Sequence, residues 1–72
     1  MNAVRKQFAA NLRLQREAAW LSQEALAAIC GLHRTEISLL ECGRRAPQLE
    51  TIVSLARGLE LASPSELLKG IS

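Results

Sequence analysis

The sequence predicts an all-α fold of five short helices forming one compact domain over residues 1–72. Three observations predict it. Apolar residues recur at i, i+3 and i+4 through successive stretches, a spacing that places them on one side of a helix. Hydrophobic residues make up 49% of the chain but only two are aromatic, Phe8 and Trp20, so the core must be built from Leu, Ile, Val and Ala, which favours packed helices and argues against disorder. Helix punctuation falls between the periodic stretches, at Ser22, Gly31, Pro47 and the Ser63-Pro64 pair. A chain of 72 residues is near the size at which one core is only marginally sufficient, so a partner subunit would help it.

The first helix is expected from about Val4 to Ala18, with Val4, Phe8, Leu12 and Gln15 along one side and Arg5, Lys6 and Arg13 elsewhere. Phe8 is the expected aromatic centre of the core. Ala19, Trp20 and Leu21 lead to the second helix, and Trp20 either covers the edge of the core or flanks a bound partner; partial burial with its N–H near water is the favoured alternative. Ser22 is a good N-cap, with Leu21 before it as a hydrophobic staple. In the stretch Gln23 to Cys42, apolar positions fall at Leu26, Ile29 and Cys30, then at Ile37 and Leu40, and Gly31 between them supplies the left-handed residue that ends one helix. Ala27 is small enough for a second helix to cross closely. The pattern is that of a helix-turn-helix over residues 23–42.

With Ile37 and Leu40 pointing inward, the opposite side of that second helix carries Thr35, Ser38 and Leu39, with Arg34 at its start. Such a set suits the edges of DNA bases. Arginine pairs bidentately with guanine in the major groove, threonine and serine donate or accept, and leucine packs on a thymine methyl. An ordinary solvated face is the competing reading. Gln23, at the first position of its helix, would meet a phosphate together with the free N–H groups there, while Glu24 faces solvent and complements the positive helix end. His33 either caps the reading helix or contacts a phosphate or base. Arg44 and Arg45, adjacent on the loop Gly43–Pro47, are natural phosphate clamps, with a solvated basic loop as the alternative. Glu36 opposes phosphate binding unless it accepts from cytosine N4 or turns onto a basic neighbour such as Arg44.

Pro47 precedes a fourth helix, Gln48 to about Leu59, with an apolar stripe of Leu49, Ile52, Val53, Leu55, Ala56 and Leu59, in which Gly58 is a weak point. Ser63-Pro64-Ser65-Glu66 matches a capping box opening a fifth helix, Pro64 to Lys69, which Gly70 ends. The carboxy-terminal third offers more apolar surface than one small domain can bury. Leu55, Leu61, Leu67 and Leu68 are therefore candidates for a homodimer interface, with Leu61 and Leu67 foremost.

The run LSQEALAAICGLHRTEISLLECGRRAPQLETIVSLARGL resembles the Cro/repressor-type helix-turn-helix family, and GLHRTEIS with SQEALA is most similar to the controller proteins of restriction-modification systems. That resemblance implies a lambda-repressor-like domain acting as a homodimer on a pseudo-palindromic operator in double-stranded DNA, regulating transcription, in some cases of its own gene, by excluding or recruiting RNA polymerase. It also implies a structural ion pair between Arg16 and Glu41, locking the first helix to the third; phosphate binding by Arg16 is the weaker alternative. An antitoxin that binds a toxin protein as well as its operator is the runner-up function, and a protein-interaction module without a DNA role is a third.

Charge distribution agrees with the placement of a DNA-reading head. Residues 1–45 carry seven Lys/Arg against four Glu, a net of +3, whereas residues 46–72 carry two against three, a net of −1. No apolar run approaches the roughly 20 residues of a membrane span, and MNAVRKQFAA lacks the apolar core of a secretory signal, so a cytoplasmic protein is expected. Cys30 and Cys42 fit free thiols, with a redox role at Cys42 as a remote alternative. Two cysteines and one histidine fall short of a four-ligand zinc site. No catalytic constellation is present, so neither an enzyme nor a metal or organic cofactor is expected.

Overall fold

A helix is stabilised where one of its sides finds a core and its first N–H groups find acceptors, and a computed structural model describing residues 2–71 shows four α-helices packed on one core, the first two of them capped by a side chain. They are α1 (Ala3–Ala18), α2 (Gln23–Cys30), α3 (Arg34–Glu41) and α4 (Leu49–Gly58), followed by a 3₁₀ helix, Pro64–Leu67. Asn2 opens α1 by accepting from the N–H groups of Val4 and Arg5 at 2.9 and 3.2 Å. Ser22 opens α2 through its hydroxyl, 3.0 Å from the Ala25 nitrogen. Gly31 closes α2 at φ 69°, and the next residue, Leu32, donates to the Ala27 carbonyl at 2.8 Å. Gly43 closes α3 in the same way at φ 72°.

Helix α3 is the centre of the packing: it lies against α1 and α2, while α4 packs on α2 and the 3₁₀ helix bridges α1 and α4. Phe8, Leu12, Leu26, Ile37, Leu40, Leu55 and Leu67 are the large side chains wholly enclosed, with Ala27 and Ala56 where helices approach closely. No helix among the described residues is long and apolar enough to cross a membrane.

Several sequence expectations change. Leu55 and Leu67 belong to the interior of the single chain, each fully buried, and so cannot be dimer contacts; Leu61 is partly buried against the same core, and Leu68 alone of the four is exposed, at 40%. Ile29 is exposed, because it lies over α4 beside Gly58 instead of under α3. Val4 is exposed at the open first turn of α1, beside Gly70 and Ile71. The fifth helix is a 3₁₀ turn and stops at Leu67. Ser63 Oγ accepts from the Ser65 N–H at 3.2 Å, so no capping box forms, and Glu66 turns to Lys69 at 2.8 Å. The Asn11 side-chain amide donates to the Leu67 and Lys69 carbonyl oxygens at 2.9 and 2.8 Å, which holds the segment on α1.

Trp20 does not cover the core. Its side chain is 93% exposed, and its backbone sits at φ 60°, the left-handed region in which a Cβ is strained. Substituting glycine removes that strain and forfeits almost no burial. Trp20→Gly should raise stability by about 1 kcal/mol, some 4–8 °C in a domain this small. A thermal melt at or below the wild-type midpoint would show the left-handed turn to be unstrained.

Gly58 has a reason that the sequence alone did not disclose. A Cβ there would stand 2.6 Å from Cys30 Sγ and 3.2 Å from Ile29 Cγ2, so the absent side chain lets α2 and α4 meet. The thiol donates to the Ser54 carbonyl at 3.5 Å, and burial pushes its pKa up, which keeps it protonated. Overpacking costs about 1–3 kcal/mol and the gain in helix propensity is at most ~1. Gly58→Ala is therefore expected to lower the melting temperature in the native background and to raise it in Cys30→Ala. Equal shifts in both backgrounds would separate the glycine from the thiol.

Candidate nucleic-acid interface

The interface is built on α3, whose inner residues Ile37 and Leu40 are fixed in the core. Its outward side then has one orientation. Arg34 and Thr35 are exposed and Ser38 and Leu39 partly buried, so all four candidate base-reading residues border solvent on a helix of 8 residues. An α-helix with its side chains is about 10–12 Å across, a match to the width of the major groove.

The carboxy-terminal end of α3 is anchored by charge. Glu41 accepts from Arg16 at 2.6 Å (Nε to Oε2) and 3.0 Å (Nη2 to Oε1), and Arg16 Nη1 donates to the Leu21 carbonyl at 2.9 Å. Only 12% of the Arg16 side chain and 4% of the Glu41 side chain are exposed, so water does little to screen the pair. Hydrogen bonding to Glu41 holds the Arg16 pKa above the ordinary arginine value, and the group stays charged at every pH the fold meets. One polar cluster thus ties α1, the loop after it and α3 together.

Gln23 belongs to the same cluster. Its Nε2 donates to Glu41 Oε1 at 3.1 Å, so the side chain expected at a phosphate is bound to the end of α3, with its second amide N–H uncommitted. His33 is exposed at the N-cap of α3 and makes no side-chain cap bond; its carbonyl alone serves the Glu36 N–H, at 3.0 Å. Arg44 and Arg45 are exposed on the loop after α3, and neither forms an ion pair among the described residues. Glu36 does not turn onto Arg44. It lines a shallow groove with Leu40, Arg45, Pro47, Gln48 and Thr51, between α3 and the start of α4. Arg34 Nε lies 4.0 Å from Glu24 Oε1 across the turn.

Sequence reasoning missed Asn11 and both partners of the reading head, Glu24 for Arg34 and Gln23 for Glu41. A signal for Asn11 was present: it shares the inner side of α1 with Phe8 and Leu12, where a polar side chain needs a partner. No group of three or more His, Cys, Asp or Glu side chains among the described residues is placed to hold a metal ion.

Residues 7–68 match the helix-turn-helix domain family. The chain is 39% identical to control protein C.SmaI of Serratia marcescens over 66 residues, which is 92% of this chain and 79% of that protein. Its fold superposes on the crystal structure of the restriction-modification controller protein C.AhdI from Aeromonas hydrophila with a TM-score of 0.88 and 39% identity, covering 92% of this chain and 98% of that one. A hypothetical transcription factor, NHTF, from Neisseria gives a TM-score of 0.85 and 38% identity over 90% of this chain and 74% of its own. The chain belongs to the helix-turn-helix family, among the restriction-modification controller proteins, which are DNA-binding regulators of transcription.

Proposed function

We propose that the protein is a homodimer that reads a pseudo-palindromic operator in double-stranded DNA and controls transcription there, without a catalytic step, by excluding or recruiting RNA polymerase in the cytoplasm. The observation that carries the proposal is the outward side of α3, with Arg34, Thr35, Ser38 and Leu39 on a helix whose inner side, Ile37 and Leu40, is buried in the core. In this reading those four residues meet base edges. Arg44, Arg45, His33 and the free N–H of Gln23 meet phosphates, which set register without reading sequence. The genes it governs would include its own and those of a restriction-modification system. The controller names of its relatives favour this over the antitoxin alternative.

Size supports two copies. The longest dimension of one chain is 28 Å, and it carries one reading helix, whereas inverted half-sites lie about 34 Å apart, one turn of DNA. Leu68, with the partly buried Leu61 beside the same 3₁₀ segment, supplies apolar surface for a twofold contact. Sedimentation equilibrium at micromolar concentration tests this: wild type should be a dimer, and Leu68→Glu, which leaves the core untouched, should shift it to monomer. A monomeric wild type, or a variant that dimerises equally well, would remove Leu68 from the interface.

A further inference from the structure

We propose that Glu24 is a positioning residue for Arg34, setting how well the arginine discriminates its base while weakening the grip on DNA of any sequence. The proposal rests on the DNA-reading role given to α3 above. Glu24 is the second residue of α2 and Arg34 the first of α3, so the turn at Gly31 brings them together, Arg34 Nε 4.0 Å from Glu24 Oε1. Their side chains are 64% and 79% exposed, and a pair so wetted contributes little to folding. It is also an electrostatic liability, because a carboxylate at the positive end of α2 stands where a phosphate would otherwise bind.

What the pair does supply is orientation. A free arginine side chain samples many rotamers, and fixing it on a base costs part of the energy that the contact releases. Glu24 lies on the Nε side of the guanidinium, 4.0 Å away and so an ion pair without a direct hydrogen bond. The two Nη groups remain available, and they are the donors a bidentate contact to guanine O6 and N7 requires. Among the described residues no other ion pair or side-chain hydrogen bond restrains Arg34, and His33, next to it, makes no side-chain cap bond.

The two effects of Glu24 separate in a mutant cycle on Glu24→Gln, Arg34→Ala and the double variant. Affinities are measured at one stated salt concentration for a random duplex and for the tightest duplex selected from a random pool by wild type. Glu24→Gln should bind the random duplex more tightly, and its preference for the selected duplex should fall by about three- to fivefold, the scale of one exposed pair. In the Arg34→Ala background the same change should still tighten random binding but leave the preference unaltered. Melting curves within a few degrees of wild type confirm that each variant is folded. A preference unchanged by Glu24→Gln, or changed equally in both backgrounds, overturns the positioning role and leaves DNA reading intact. A wild-type chain that cannot distinguish selected from random duplexes overturns both.

Discussion

Glu41→Ala should lower the melting temperature by about 12–24 °C. The carboxylate takes two bonds from Arg16 and one from Gln23 in a place where almost none of it reaches water. Removing it leaves the Arg16 guanidinium, on a side chain only 12% exposed in the intact protein, with only the Leu21 carbonyl to serve it. Breaking a buried pair from one side costs about 3–5 kcal/mol, and the lower end applies because the Arg16 head keeps one bond. In a domain of this size each kcal/mol moves the midpoint by about 4–8 °C. Glu41→Gln should cost less, since a neutral oxygen can still accept. Among folded molecules, DNA affinity should change less than stability, because Glu41 faces inward. A melting temperature equal to wild type in Glu41→Ala would show that the pair does not hold α1 to α3.

Arg34→Ala should cost about 1–3 kcal/mol on the preferred sequence and relax the preference at one guanine, while binding to random duplex falls little. Arg44→Ala and Arg45→Ala should behave differently. Each should weaken binding to every sequence alike and reduce the salt dependence by about one charge, because the loop arginines approach only the backbone. The contrast rests on position: Arg34 begins the helix that enters the groove, and Arg44 and Arg45 lie beyond its end. A specificity ratio unchanged in Arg34→Ala would assign that residue to phosphate.

The main architecture was legible because local rules and the core agreed. Ser22, Gly31 and the apolar pairs of α2 and α3 each point to the same helix boundaries, and those boundaries are observed. Where the expectation failed, a distant contact had intervened. The 3₁₀ helix ends at Leu67, whose carbonyl accepts from Asn11, 56 residues away in sequence. Gly58 breaks the rule of helix propensity because Cys30 occupies the space of a methyl group. Leu55 and Leu67 read equally well as surplus apolar surface or as core, since periodicity gives a face but not what lies opposite. Within the reading head, residue types disclosed which side chains face outward; the partners of Gln23 and Arg34 depend on the angle between α2 and α3, which no spacing rule supplies.

Selection of bound sequences from a pool of random duplex DNA, at a stated salt concentration, tests the central claim most directly. Two inverted half-sites whose centres lie one helical turn apart should be recovered, with a guanine in each that Arg34→Ala ceases to prefer. Recovery of no common sequence, or of a single unrepeated site indifferent to Arg34→Ala, would contradict it.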